Sequence, residues 1–327
     1  MKRAAIALAV PLLLVAGVWG AAALWVDGPA SRPLAAVLAG AFVVAMGGVV
    51  LRVRPASCGL VGAGVLFALL LGWWLSIAPS NARPWLPEVA QLPHARFEGD
   101  VVTVSNVRNF IYRSETDFDA HWETRRYDLS GVTGVDLFLS YWGSPAIAHT
   151  IASWQFEDGS HLAISIETRK EQGEAYSAVL GFFRQFELYY VVADERDVVG
   201  VRTNHRGEQV FLYRMKMPAP VARALLVDYL EEVNALADRP EWYNALTHNC
   251  TTTIRRHAQH VAPANPFDWR ILVNGYIDQL GYERGQIDTS LPFEELRAKS
   301  DITGKAKAAG HAADFSARIR EGLPGAR

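Results

Sequence analysis

The sequence is poor in cysteine and carries almost no net charge. Among its 327 residues only Cys58 and Cys250 are cysteines, which excludes a disulfide framework. The 32 Lys and Arg residues nearly balance the 34 Asp and Glu residues, and this balance argues against nucleic acid as a partner. Half of the residues are hydrophobic, and their excess lies before residue 80.

Three uncharged apolar runs follow one another near the N-terminus: Ala4 to Val26, Pro33 to Leu51 and Cys58 to Ala78. Each is close to the roughly 20 residues that a helix needs to cross a bilayer core of about 30 Å. A cleaved signal peptide is the alternative for the first run, with Lys2 and Arg3 as its charged start. We favour three spans, because the run is long for a signal peptide and two more follow.

The short loops predict the orientation of these spans. Lys2 and Arg3 precede the first run, and Arg52 and Arg54 separate the second from the third. Cationic loops stay in the cytoplasm, so the N-terminus is expected inside and the C-terminal domain outside. The membrane then separates Cys58 from Cys250 and leaves Cys250 as a lone thiol.

Beyond the anchor the pattern predicts an α+β domain. Strands are expected at Val101 to Val104, Val135 to Tyr141, Glu187 to Ala193 and Gln209 to Met215, with a hairpin of Ala148 to Phe156 and His161 to Glu167. Pro220 to Leu236 is an amphipathic helix, and another begins at Cys250. The expected domains are an anchor (1–79), a periplasmic domain (80–299) and a poorly ordered tail (300–327).

The segment around Cys250 points to a nucleophile. Asn249 is a favourable N-cap, which places Cys250 and Thr251 on the first turn of a helix. The N–H groups and dipole there lower a thiol pKa, and the same end of the helix is able to hold an oxyanion, with Asn249 and Thr251 as its capping residues. A buried, inert cysteine behind an ordinary cap is the alternative.

The hairpin selects a base for this thiol. Its even positions are the more apolar in both strands, so odd residues must oppose odd residues. We predict a three-residue loop, Asp158 to Ser160, that pairs Glu157 with His161. In this register Glu167 is a diagonal neighbour of His149, the arrangement in which a carboxylate orients an imidazole. His248, close to Cys250 in sequence, is the reserve base.

Other polar residues receive weaker assignments. His257 and His260 are three apart on the second helix, but no third ligand stands at a convincing spacing, so we predict no metal site and no cofactor. Arg108 and Arg113 are candidate contacts for lipid phosphates. Glu195, Arg196 and Asp197 are interpreted as a solvated or structural ion-pair network.

Several motifs in order resemble the Lnb N-terminal periplasmic domain family, from about Asn81 to Ile271. They are Tyr141-Trp142-Gly143-Ser144, Ala148-His149-Thr150, Ser165-Ile166-Glu167-Thr168-Arg169, Ala193-Asp194-Glu195-Arg196-Asp197, Trp242-Tyr243-Asn244 and Asn249-Cys250-Thr251-Thr252. The order of histidine strand and cysteine helix is also similar to permuted papain-like enzymes of the lecithin:retinol acyltransferase type, in which an Asn-Cys pair starts the nucleophile helix.

The resemblance implies a permuted papain-like fold and a thiol-dependent acyltransferase or hydrolase, with Cys250 as nucleophile, His149 as base and Glu167 as orienting group. Lnb moves an acyl chain from the lipid of a lipoprotein to its N-terminal amine, so membrane lipid or lipoprotein is the expected substrate. Lnb carries spans after this domain, whereas here they precede it. The alternatives are a cell-wall peptide amidase with the same dyad and a non-catalytic, membrane-tethered binding module. The oligomeric state is left open.

Overall fold

The computed structural model describes residues 2–263 and 265–325 and divides them into two compact units. The first contains residues up to Ser80 together with Tyr176–Glu187, and the second contains the remaining described chain. The helices of the first unit are α1 (Lys2–Val26), α2 (Arg32–Arg52) and α3 (Ala56–Ser76).

Two of the three predicted membrane spans have the required length and apolar composition. They are α2 and α3, each 21 residues long. In α1 the apolar stretch runs from Val10 to Val26, and the side chains before Val10 lie outside the described part. A third span, like the cytoplasmic position of the N-terminus, therefore stays a prediction.

The second unit is built on an eight-stranded sheet. Its order is β1-β2-β9-β8-β7-β6-β10, with β5 also paired to β2, and β3 and β4 form a separate ribbon. The strands are β1 (His94–Glu98), β2 (Val101–Arg108), β3 (Ile111–Tyr112), β4 (Phe118–Asp119), β5 (Trp122–Asp128), β6 (Val132–Tyr141), β7 (Ala148–Phe156), β8 (His161–Arg169), β9 (Glu187–Ala193) and β10 (Gln209–Arg214).

The α+β class is confirmed, but the sheet is mixed and not wholly antiparallel as expected. The exception is β9, which runs parallel to β2 where Ala193 is opposite Arg108. Because β9 reaches β2 from a point far along the chain, no hairpin signal in the sequence announces this pairing. The permuted papain-like arrangement stays a prediction.

Helices cover this sheet and carry the candidate nucleophile. They are α4 (Glu195–Gly200), α5 (Ala219–Asp238), α6 (Cys250–Val261), α7 (Ile277–Glu283), α8 (Phe293–Ser300), α9 (Thr303–Ala309) and α10 (Phe315–Arg318). The amphipathic helix α5 is confirmed, and its buried stripe includes Leu226, Tyr229 and Leu230. Helix α6 packs against α5, β7 and β8, which brings its first turn to the hairpin.

The register of the β7–β8 hairpin differs by two residues from the prediction. His161 is opposite Gln155, and not Glu157, while Ile151 is opposite Ser165. The turn is closed by Phe156 and Ser160, one residue earlier on each strand than the predicted pair of Glu157 and His161. The Phe156 N–H donates to the carbonyl oxygen of Ser160 at 3.0 Å. Odd residues still oppose odd residues, so the predicted division of the two faces survives the shift.

The prediction of a poorly ordered tail is wrong for the described residues after Lys299. Ile302, Ala306, Phe315 and Ile319 are at most 2% exposed and belong to a hydrophobic core cluster. Ala, Gly and charged residues suggested disorder from composition alone. The sparse apolar residues, however, recur at helical spacing and bury against α4 and β10.

A buried ion-pair network fastens this tail to the sheet. The Arg320 guanidinium lies 2.8 Å from Asp136 and 2.6 Å from Glu195, and neither carboxylate is exposed. Burial alone would raise the pKa of Glu195, but the charge of Arg320 lowers that pKa to about 2. The carboxylate is thus ionised at any pH above that value, and the network is structural.

Removing this cation should destabilise the domain. Arg320→Ala leaves the buried carboxylates of Glu195 and Asp136 without this cation, and we expect a loss of about 3–5 kcal/mol in the free energy of unfolding. Arg318→Ala is the matched control, because that side chain is half-exposed and pairs with Asp314, which is also exposed. It should change stability by less than about 0.5 kcal/mol. Urea denaturation in detergent micelles measures both, and equal losses would contradict the assignment.

Candidate active site

Helix α6 begins at the candidate nucleophile, as predicted. The Asn249 side-chain oxygen accepts the N–H of Thr252 at 2.9 Å, and the Thr252 hydroxyl oxygen accepts the N–H of Asn249 at 3.0 Å. This capping box places Cys250 on the first turn. The Asn249 amide nitrogen donates to the carbonyl oxygen of Ala245 at 2.8 Å. Asn249 is therefore a helix cap, and its role toward an oxyanion stays a prediction.

His149 lies on β7 and takes part in a chain of hydrogen bonds along β8. Its Nε2 atom is 2.7 Å from the Ser165 hydroxyl oxygen and 3.4 Å from a Glu167 carboxylate oxygen. Ser165 donates its own hydrogen to that carboxylate at 2.8 Å, so its oxygen accepts from Nε2–H. Nδ1 is then the ring nitrogen left for the thiol. The predicted partnership of His149 and Glu167 is present, with Ser165 between them.

A buried arginine holds the Glu167 carboxylate in place. Arg202 donates to Glu167 at 2.7 Å and to the carbonyl oxygen of Val198 at the same distance. Burial raises the pKa of Glu167, but the charges of His149 and Arg202 outweigh it and lower the pKa well below its usual value. Glu167 is therefore a fixed negative charge beside the imidazole. Arg202 was missed because it lies on a short π-helical turn, Val201–His205, far along the sequence.

The thiol and the imidazole shift each other's pKa in opposite directions. Burial opposes a charge on His149, but Glu167 and a hydrogen bond with Cys250 raise the His149 pKa to about 9. Burial likewise raises the pKa of Cys250, while the hydrogen bond and charge of His149 lower it further, so the net shift is downward. These directions favour a thiolate–imidazolium pair at neutral pH, which is the reactive form of a cysteine nucleophile.

Asn274 is a third polar group at the thiol, and the sequence did not reveal it. Its side-chain nitrogen donates to the Thr251 hydroxyl oxygen at 2.8 Å and lies 3.7 Å from the Cys250 sulfur. Its side-chain oxygen accepts the N–H of Ala148 at 2.9 Å. Asn274 thus links the first turn of α6 to the start of β7. Thr251 is buried and accepts the hydrogen bond from Asn274. It therefore has a packing role as well as a position near the start of the helix.

The glycine after Asn274 allows this segment to approach the chain before β7 closely. The N–H of Gly275 donates to the carbonyl oxygen of Ala146 at 3.0 Å. A side chain at this position would place its Cβ 2.1 Å from the carbonyl oxygen of Pro145, a distance that the backbone does not tolerate. The Asn274-Gly275 pair reads as a simple turn in the sequence, which is why its role was missed.

Arg108 is not a phosphate contact, and this prediction is wrong. The residue is 5% exposed, and its guanidinium bonds Asp197 at 2.7 Å and the carbonyl oxygen of Glu88 at 3.1 Å. Asp197 also accepts the N–H of Phe110 at 2.7 Å. The run containing Asp197 is therefore a structural ion-pair network, as interpreted from the sequence.

Arg113 is exposed but is already paired. It lies 2.6 Å from Asp117 and 2.7 Å from Asp119. These two carboxylates outweigh its positive charge, so the local potential does not favour an anion. A contact between Arg113 and lipid phosphate stays a prediction.

Comparison with known proteins identifies one family. Residues 118–275 match the family model described as the Lnb N-terminal periplasmic domain. The match includes β7, β8, the first turn of α6 and Asn274, and so spans every residue assigned above to the site. No curated protein and no solved structure matches the chain. With the apolar helices α2 and α3, the match indicates a membrane-anchored protein with a periplasmic domain.

The lowered thiol pKa is directly measurable. In a Cys58→Ser background, the rate of Cys250 alkylation by iodoacetamide should rise with a midpoint below the value of about 8.5 for an ordinary thiol. His149→Ala should move the midpoint above about 8.5, because burial then acts on the thiol without the opposing imidazole.

His248→Ala is the matched control for this titration. His248 lies two residues from Cys250, but it is only partly buried, and its Nδ1 atom is 2.9 Å from the Thr247 hydroxyl oxygen. The midpoint should stay unchanged in this variant. A larger shift for His248→Ala than for His149→Ala would make His248 the base and contradict the assignment.

Proposed function

Because residues 118–275 belong to the Lnb N-terminal periplasmic domain family, we propose that this chain is a membrane-anchored thiol enzyme. It transfers acyl groups of membrane lipid or lipoprotein, or hydrolyses them, at the outer face of the bacterial inner membrane. The observation that carries the proposal is the position of Cys250 at the start of a helix, where His149 lowers the pKa of the thiol in spite of its burial and the pKa of the imidazole is raised.

In the first half of the reaction, the Cys250 thiolate attacks the carbonyl carbon of an ester or amide. The His149 imidazolium gives its Nδ1 proton to the leaving oxygen or nitrogen, and an acyl-thioester remains on Cys250. In the second half, an amine or water attacks the thioester and His149 takes its proton. The acyl group leaves with the acceptor, and the thiolate–imidazolium pair is restored.

The charge on the tetrahedral intermediate needs hydrogen-bond donors. The N–H of Thr252 is occupied by the Asn249 cap, so we assign the oxyanion to the backbone N–H groups of Cys250 and Thr251, which precede it on the first turn. Asn274 adds a side-chain donor 3.7 Å from the sulfur. Removing one such donor from a related site typically costs about 10²–10³-fold in rate.

Exposed apolar side chains near the site favour an acyl substrate. Ile147, Leu246 and Leu272 are 50%, 51% and 46% exposed, and each precedes a site residue by two to four positions. The loops of Ile147 and Leu272 are joined by the hydrogen bond between Gly275 and Ala146. Large exposed apolar groups that share one region mark contact with apolar ligands or lipid. A cell-wall peptide amidase, which uses the same dyad, has less need of them.

Mass spectrometry of lipids and lipoproteins from intact membranes tests this function. Cys250→Ala and His149→Ala should each lower the amount of acylated product, by on the order of 10³-fold in rate for the nucleophile, and the unmodified acyl donor should accumulate. His248→Ala should resemble the unmodified protein. Transfer and hydrolysis are distinguished by whether the acyl group appears on an amine or as free fatty acid.

Two results would contradict the proposal. One is full acyl turnover in Cys250→Ala, which removes the nucleophile from the mechanism and leaves a binding module. The other is a change confined to cell-wall peptides in the same mutant, with lipids and lipoproteins unaltered, which favours the amidase.

A further inference from the structure

A second cluster of ionisable side chains lies on α5 and α6, outside the dyad. Asp228 of α5 has one carboxylate oxygen 2.5 Å from Nδ1 of His257 and the other 3.0 Å from Nδ1 of His260. One nitrogen from each imidazole and one oxygen of the carboxylate all lie within 4.8 Å of one another. The Nδ1 atoms of both imidazoles therefore face the same carboxylate.

The geometry points to a metal ion, and we propose that Asp228, His257 and His260 bind a divalent transition metal such as zinc. Imidazole and carboxylate are normal zinc ligands. Histidines three residues apart share one face of a helix, and α6 packs on α5, so the third ligand comes from the neighbouring helix. The Asp228 carboxylate oxygen and Nδ1 of His257 are 2.5 Å apart. To share a metal ion at bond lengths of about 2.0–2.1 Å, these two atoms must move apart by less than about 1 Å.

The surroundings of His257 suit a metal ligand. Its Nε2 atom is 2.6 Å from the Tyr190 hydroxyl, and the Tyr229 ring stacks on it with a centroid separation of 4.0 Å. His257 is 1% exposed. A metal-bound imidazole normally gives its second N–H to a fixed polar partner, which sets its tautomer and orientation. Tyr190 supplies that partner, and Tyr229 fixes the plane of the ring.

The site is open on one side. His260 is half-exposed, and an adjacent cavity of about 350 Å³ is lined by Asp228, Glu231, His260 and Arg223 among others. Three protein ligands with one free position facing a cavity is the pattern of a zinc ion that holds water or an exchangeable anion.

The sequence concealed this site because its third ligand lies 29 residues before His257. The site is also distinct from the dyad. His257 and His260 follow Cys250 by seven and ten positions on α6, which corresponds to about 10 and 15 Å of helix rise.

Zinc binding by the full-length chain tests the proposal. The protein is purified in detergent without a polyhistidine tag and titrated with zinc chloride in a calorimeter. We expect one zinc ion per chain. Asp228→Asn and His260→Ala should each weaken binding at least tenfold, and Tyr190→Phe should weaken it by about tenfold or more, as is usual for partners of metal ligands. His260 is half-exposed, so its variant should fold, which circular dichroism verifies.

Two controls locate the metal. His311→Ala removes an exposed histidine elsewhere and should leave the affinity unchanged. Cys250→Ala should also keep one zinc ion per chain, since a thiol and an imidazole are able to bind zinc by themselves. Binding that is lost in Cys250→Ala, or that is unchanged in Asp228→Asn and His260→Ala, would overturn the proposal, as would the absence of stoichiometric binding.

Discussion

The half-buried carboxylate of Glu167 is the group on which the charge state of the candidate site depends. Arg202 holds it from one side at 2.7 Å, and Ser165 joins it to His149 on the other. Because the carboxylate stays ionised, the imidazolium is favoured, and the imidazolium in turn favours the Cys250 thiolate. Without this charge, burial would act alone and would favour the neutral thiol and the neutral imidazole.

The elements that local sequence dictates were predictable. The Asn249 cap, the start of α6, the amphipathic α5 and the two faces of the hairpin follow from capping preferences and from periods of 3.6 and 2. The site also relies on Arg202 and Asn274, which were not predictable. Each reaches the dyad through tertiary packing, and no spacing rule connects residues on a π-helical turn or a distant loop to a thiol.

Predictions from amino-acid composition were wrong where a few buried residues determine the structure. The chain after Lys299 is polar on average, yet Arg320 joins two buried carboxylates and a small set of apolar side chains completes the core. Arg108 looked like a lipid contact because it follows a strand in a basic, aromatic stretch, but Asp197 neutralises it inside the domain. A charged residue is buried only when it has a partner, and that partner is often far away in the sequence. The residues near the charge in sequence therefore do not reveal its burial.

The central claim is that Cys250 carries the acyl group during turnover. The most direct measurement is the mass of the purified full-length protein after incubation with phospholipid or lipopeptide vesicles, followed by peptide mapping. The account predicts an acyl thioester on Cys250 that neutral hydroxylamine removes, and that is absent from Cys250→Ala. Consumption of the acyl donor by the Cys250→Ala protein at the unmodified rate would contradict it.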